Sequence, residues 1–131
     1  MKDIMLENFQ YVVSELLVRN KSILDVLSKY QQSNAKVVRS IIKAVTHCGC
    51  IQIKAGKQNI PEDASLTDIK KYMDTHLRGE LCENCRDIVK KEMGNNMFYL
   101  ANLCNALGLS LYDIILEEKK QLDTLGIYSL K

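Results

Sequence analysis

Four of the five cysteines stand in two tight pairs, and this restricts what the chain can fold into. Cys48 and Cys50 flank Gly49; Cys82 and Cys85 flank Glu83-Asn84; 31 residues lie between the pairs. Short-spaced pairs without secretory marks are the pattern of a metal site rather than of a disulfide framework. Four thiolates suit one tetrahedral ion with metal–sulfur bonds of about 2.3 Å. A fold that uses all four must therefore bring the chain back, after a 31-residue excursion, to where it left.

The segments that carry the pairs have helical patterning. Met5, Phe9, Val12, Val13, Leu16 and Leu17 recur at helical spacing and predict a first helix over 3–19. Ser22-Ile-Leu-Asp25 is a capping box, and a second helix is expected over 23–47, with a break near Gln31–Asn34. Gly49 ends it as a left-handed stop. Residues 51–79 form an insertion: a loop or at most a short strand at Ile51–Ile53, then a short helix from Ser65 to about Leu77, stopped by Gly79. A long helix follows over 80–107, with Leu81, Cys85, Ile88, Met97, Leu100, Cys104 and Leu107 near one seam. Gly94 inside it costs about 1 kcal/mol relative to Ala, which suggests close packing or a ligand there. Ser110-Leu-Tyr-Asp113 caps a last helix over 111–125. One proline, six glycines and no Trp agree with helices. The expectation is a single all-α domain over 1–131, a four-helix bundle with a short helical insertion between its second and third long helices.

On that arrangement both cysteine pairs fall at helix ends. If the second and third long helices pack antiparallel, the pairs meet at one end of the bundle. A helix N-terminus favours thiolate at Cys82 and Cys85. The expected metal site is Cys48, Cys50, Cys82 and Cys85 holding structural zinc, with His47 as a substitute ligand. An iron–sulfur cluster, a Cys82–Cys85 redox pair and four buried thiols without metal are the alternatives. Cys104 is expected in the core and His76 on the surface.

The segment Lys91-Glu-Met-Gly-Asn-Asn-Met-Phe-Tyr-Leu100, with Ala-Leu-Gly-Leu-Ser-Leu-Tyr-Asp113 after it, resembles the second half of the MazG-like nucleotide pyrophosphohydrolases. Glu92, Gly94, Phe98, Tyr99, Leu100, Leu107 and Gly108 match in order, over roughly residues 88–125. With its Cys-x-Cys and Cys-x-x-Cys pairs the chain looks like a divergent branch of that superfamily. The resemblance implies an all-α bundle of MazG-like type, a homodimer formed through the helices, and a nucleotide or other phosphorylated ligand near Lys43, Glu92, Asn95 and Tyr99. It also implies Mg²⁺, held in those enzymes by Glu-Glu-x-x-Glu on one helix and Glu-x-x-Asp on the next.

Here the second motif reads Glu92-Met-Gly-Asn95, and the first is absent. No Asp or Glu lies between Val26 and Pro61. Mg²⁺ is a hard cation that needs clustered oxygen ligands. The expectation is therefore a protein of binding, regulation or assembly rather than an ordinary Mg²⁺-dependent enzyme. Lys43 is expected to stand opposite Glu92 as its counter-charge. The enzyme alternative is a divergent nucleoside triphosphate pyrophosphohydrolase with Glu92 and Asn95 as its catalytic candidates; the other alternative is a thiol redox sensor.

Lys29, Lys36, Arg39, Lys43, Lys54 and Lys57 fill the acid-free stretch; they read first as a solvated basic face, with contact to phosphates of a nucleotide or nucleic acid as the alternative. A net charge of +2 does not indicate a nucleic-acid partner. Asp3, Glu7 and Glu15 interrupt any signal-peptide core, and no apolar run reaches the ~20 residues of a membrane span, so the expected location is cytoplasmic.

Overall fold

The computed structural model describes residues 4–17 and 21–131. It is mostly helical: α1 (Ile4–Leu16), α2 (Ile23–Lys43), α3 (Leu66–Tyr72), α4 (Glu83–Leu107) and α5 (Leu111–Leu125), with β1 (Ile51–Ile53) and β2 (Leu77–Gly79). The expected first helix is present between Ile4 and Leu16; its outer limits at 3 and 19 lie outside the described residues.

Helix α4 is the axis of the molecule. Helix α2 packs along its N-terminal two thirds, and α1 packs on its C-terminal part and on α5. Ser22 caps α2 by accepting the Leu24 N–H, and the helix runs unbroken through Gln31–Asn34. No break occurs there because the polar residues are used across the helix pair. Asn96 Nδ2 on α4 donates to Ser33 Oγ at 3.0 Å and also to Asn34 Oδ1.

The architecture departs from a simple up-and-down bundle at its last corner. Gly108 closes α4 in the left-handed conformation, and α5 leaves at 104°. Gln10 on α1 secures this corner. Its Nε2 donates to Asn105 Oδ1 at 2.9 Å and to the Leu109 carbonyl at 2.7 Å; its Oε1 accepts the Leu111 N–H at 2.7 Å. Val13, Ala101, Cys104 and Leu111 form the buried cluster beneath it. Cys104 is thus a core residue, as its place in the apolar pattern indicated, and burial pushes its thiol up.

Two boundaries differ from expectation. The short helix ends at Tyr72, and Leu77–Gly79 is a strand rather than a helix tail. Asp74 causes the switch: its carboxylate accepts the His76 N–H and pairs with Arg78 at 2.7 Å, while Gln58 holds its backbone from both sides. The Arg78 guanidinium and the His76 N–H hold the Asp74 carboxyl well below the usual carboxylate range. The long helix starts at Glu83, not Glu80, because residues 80–82 lead out of the strand pair. The seam read from sequence is half right. Cys85 and Cys104 are buried, but Ile88, Met97 and Leu107 are exposed, since α4 turns Val89, Glu92, Asn96 and Tyr99 toward α2 instead.

Candidate metal centre

The cysteine site is assembled by three short pieces of backbone. The first is the end of α2, which widens into a π-helical turn over Ala44–Cys48. The Gly49 N–H bonds the Ala44 carbonyl at 2.9 Å, and Gly49 adopts φ 82°, so the chain reverses within one residue. That conformation suits glycine, and it sets Cys48 and Cys50 on either side of the reversal.

The second piece is the strand pair. Ile51 faces Gly79, Gln52 faces Arg78 and Ile53 faces Leu77 in antiparallel register. This ribbon returns the chain from the insertion to the cysteine end. It also needs a glycine at 79: a Cβ there would lie 2.5 Å from the Cys50 carbonyl oxygen, at φ +83°. The third piece is the start of α4. Cys82 is its N-cap, and the Cys82 sulfur accepts the Cys85 N–H at 3.4 Å, taking the place of a serine hydroxyl.

The four sulfurs converge. All lie within 4.8 Å of one another, and the Cys48 and Cys82 Sγ atoms are 3.8 Å apart. A tetrahedron with ~2.3 Å metal–sulfur bonds has edges of about 3.8 Å. The set therefore fits one tetrahedral ion. A cluster of several irons would stand between its thiolates and hold them farther apart. All four are free thiols in this geometry, far from bonding distance for a disulfide.

The site is seated on packed apolar side chains. Ala44, Ile51 and Cys85 are buried together, with Ile41, Val45 and Leu81 packed against them. The Cys85 N–H, and then the Cys85 thiol, bring Cys82 down to about 7, within reach of thiolate at neutral pH. Cys85 is pushed up to about 12, first by Cys82 and then by burial, so a charge on Cys82 leaves its neighbour protonated until a cation arrives. His47 stands exposed in the last turn and is outside the group of converging ligands.

The carboxylate candidate lies two turns along α4 from Cys85. Glu92, Asn95 and Tyr99 line one hollow of about 100 Å³ with Lys29, Gln32, Ser33 and Lys36 of α2. Three of the four ligand candidates named from sequence are thus brought together. Lys43 is not: it lines a different depression, with Val38, Arg39, Ile42 and Thr46, and among the described residues no ion pair joins it to Glu92. The reason is register. The cysteine end holds Ala44 level with Cys85, so Glu92, seven residues further along α4, meets α2 about two to four turns before Lys43. Lys29 and Lys36 stand there instead, two of the basic residues whose phosphate-binding reading came second to a solvated face. Their signal was the i, i+7 spacing of two lysines in the acid-free stretch, on one side of the helix.

Among the described residues no single helix is long and apolar enough to cross a membrane. No family model matches the chain, and neither a curated protein nor a solved structure matches it.

Proposed function

We propose that this protein is a zinc-stapled helical domain of MazG-like type that acts by binding or assembly, without the Mg²⁺ carboxylate cluster of the pyrophosphohydrolases. The observation that carries the zinc reading is the convergence of Cys48, Cys50, Cys82 and Cys85 sulfurs within 4.8 Å, with tetrahedral edge length between two of them. Soft thiolate ligands in that geometry select zinc or iron over hard cations. A site closed by four protein ligands has no open position for a substrate, which makes the ion structural rather than catalytic.

The ligand reading rests on the hollow between α2 and α4. One carboxylate, two ammonium groups, two amides and two hydroxyl-bearing side chains meet there. Lys29 and Lys36 supply the positive charge that a phosphate needs, while Glu92 stands alone as an anion and cannot by itself replace a carboxylate cluster. A phosphorylated small molecule is the ligand class that fits. Mg²⁺-dependent cleavage is the competing reading, with Glu92 and Asn95 as metal-side ligands.

Metal analysis of protein purified without chelator separates these claims from bare thiols. About one zinc per chain is expected, and the same value is expected for Cys104→Ala, whose sulfur lies in the other core cluster. Less than about a tenth of a zinc or iron per chain would sink the staple. A panel of nucleoside triphosphates with Mg²⁺ or Mn²⁺ tests the enzyme: pyrophosphate release abolished by Glu92→Gln would establish cleavage in place of simple binding.

A further inference from the structure

The four thiols of the cysteine site are not equivalent. Cys48 is exposed, Cys50 and Cys82 are half-buried, and Cys85 is buried. A small oxidant arriving from solvent therefore meets the Cys48 sulfur first. The backbone differs in the same order. Cys48 ends the π-helical turn, and a Cβ on Gly49 after it would meet no atom within 4 Å, so this corner has room to shift. Cys50 has none. Its carbonyl lies against Gly79, Ile51 beside it is paired in the ribbon, and its sulfur is turned to the Ala44 carbonyl at 3.8 Å. Cys85 is set inside α4 and packed with Ala44 and Ile51.

Cys82 is the sulfur that Cys48 faces. Their Sγ atoms are 3.8 Å apart and come from different helix ends. The hydrogen bond from the Cys85 N–H, at 3.4 Å, holds the Cys82 sulfur at the head of α4. A disulfide needs the two sulfurs at about 2.05 Å, a closure of ~1.8 Å, and Cys48 is the side with room to make it. The redox pair suggested by spacing, Cys82 with Cys85, has its second sulfur buried.

Taking the four-cysteine zinc site as its starting state, we propose that Cys48 is a site of oxidation by hydroperoxides, that Cys82 resolves it as a disulfide, and that this exchange ejects the ion. The Cys48 thiolate gives an electron pair to one peroxide oxygen. The O–O bond breaks, an S–O bond forms, and water or an alcohol leaves with a proton from solvent. The Cys82 thiolate then attacks the Cys48 sulfur. The S–S bond forms, the S–O bond breaks, and the departing hydroxide is protonated to water. The two sulfurs together lose two electrons to one peroxide, and zinc stays divalent throughout. Only Cys50 and Cys85 remain as ligands, too few to close a tetrahedral site, and they take up protons as the ion leaves.

Cys48 and Cys82 belong to the end of one helix and the start of the other, so their disulfide keeps α2 and α4 joined. Cys50 is the link between the ion and the β1–β2 ribbon, and that link is lost. Oxidation thus loosens the ribbon while the helix pair holds.

Excess hydrogen peroxide added to the zinc-loaded full chain tests this. Zinc release is followed with a chromogenic chelator, and disulfides are mapped by mass spectrometry after alkylation of the denatured protein. Release of about one zinc per disulfide is expected, with Cys48 joined to Cys82 and with Cys50, Cys85 and Cys104 still open to alkylation. Dithiothreitol with zinc should restore the starting state. Cys48→His leaves a zinc-binding side chain at the exposed corner; it should keep the ion and slow its release by peroxide at least about tenfold. Zinc that stays bound under excess peroxide overturns the proposal. So does a disulfide mapped to Cys82–Cys85 or Cys48–Cys50, or release from Cys48→His at the wild-type rate. Should Cys48→His carry no zinc, the disulfide mapped in the wild type decides. A wild type purified without zinc fails the staple and not the pair: a Cys48–Cys82 disulfide then still supports the assignment, and another pairing overturns it.

Discussion

The helix pair α2–α4 carries two polar sites, and they are built in opposite ways. At the cysteine end, the backbone does the placing: a π-helical turn, a left-handed glycine, a two-stranded ribbon and a sulfur N-cap bring four like ligands within 4.8 Å. Two turns away, side chains of mixed sign meet only because two helices lie side by side, and Glu92 faces Lys29 and Lys36 with Asn95 and Tyr99. The first site gathers four soft ligands that could hold one metal ion. The second is a small hollow between two helices. A site assembled by backbone turns is a fold determinant; a site assembled by helix register is free to change its residues.

This difference can be broken most sharply at Cys85. Cys85→Ser removes the buried ligand, and bound zinc should fall from about one to below a tenth per chain. The β1–β2 ribbon should lose its amide-exchange protection with it. Retention of a full equivalent of zinc would show that the four sulfurs do not act as a set.

Gly79→Ala comes next. The left-handed backbone and the close approach to the Cys50 carbonyl should cost about 1–3 kcal/mol in urea unfolding and loosen the four-cysteine site, although residue 79 is not one of the cysteines. A neutral effect on both would mean that the ribbon does not position Cys50.

In the hollow the expected effects are smaller. Asn96→Ala removes the hydrogen bonds to Ser33 and Asn34 and should cost about 1 kcal/mol, with zinc content unchanged. Coupled loss of zinc would join the two sites that the comparison separates. The paired change Lys29→Ala with Lys36→Ala should leave stability within about 0.5 kcal/mol. The same change should abolish binding of inorganic phosphate or a nucleotide measured by calorimetry. Unchanged binding would remove the hollow from the functional account.

The two sites were also unequally legible in the sequence. Cys48, Cys50, Cys82 and Cys85 announce their chemistry by residue type and spacing, so the site followed once both pairs were placed at helix ends. The residues that make it rigid did not follow. Leu77–Gly79 reads as a helix tail because nothing local reveals that Asp74 will engage Arg78 and turn the chain into a strand. Gly79 reads as a stop signal and is in fact a point of close approach. At the hollow, Glu92, Asn95 and Tyr99 share one helix face, which periodicity gives. The opposing residues depend on the relative register of two helices, which puts Lys36 and Lys29, about two and four turns before Lys43, beside Glu92. Helix existence along the chain was readable from apolar spacing and the Ser22 and Ser110 caps. The 104° corner was not, because it depends on the side chain of Gln10, nearly a hundred residues away.

X-ray absorption at the zinc edge of the purified full chain tests the central claim most directly. The four-cysteine account predicts a first shell of four sulfurs at about 2.3 Å and no nitrogen or oxygen ligand. A shell containing light-atom ligands, or protein that carries no zinc to measure, would contradict it.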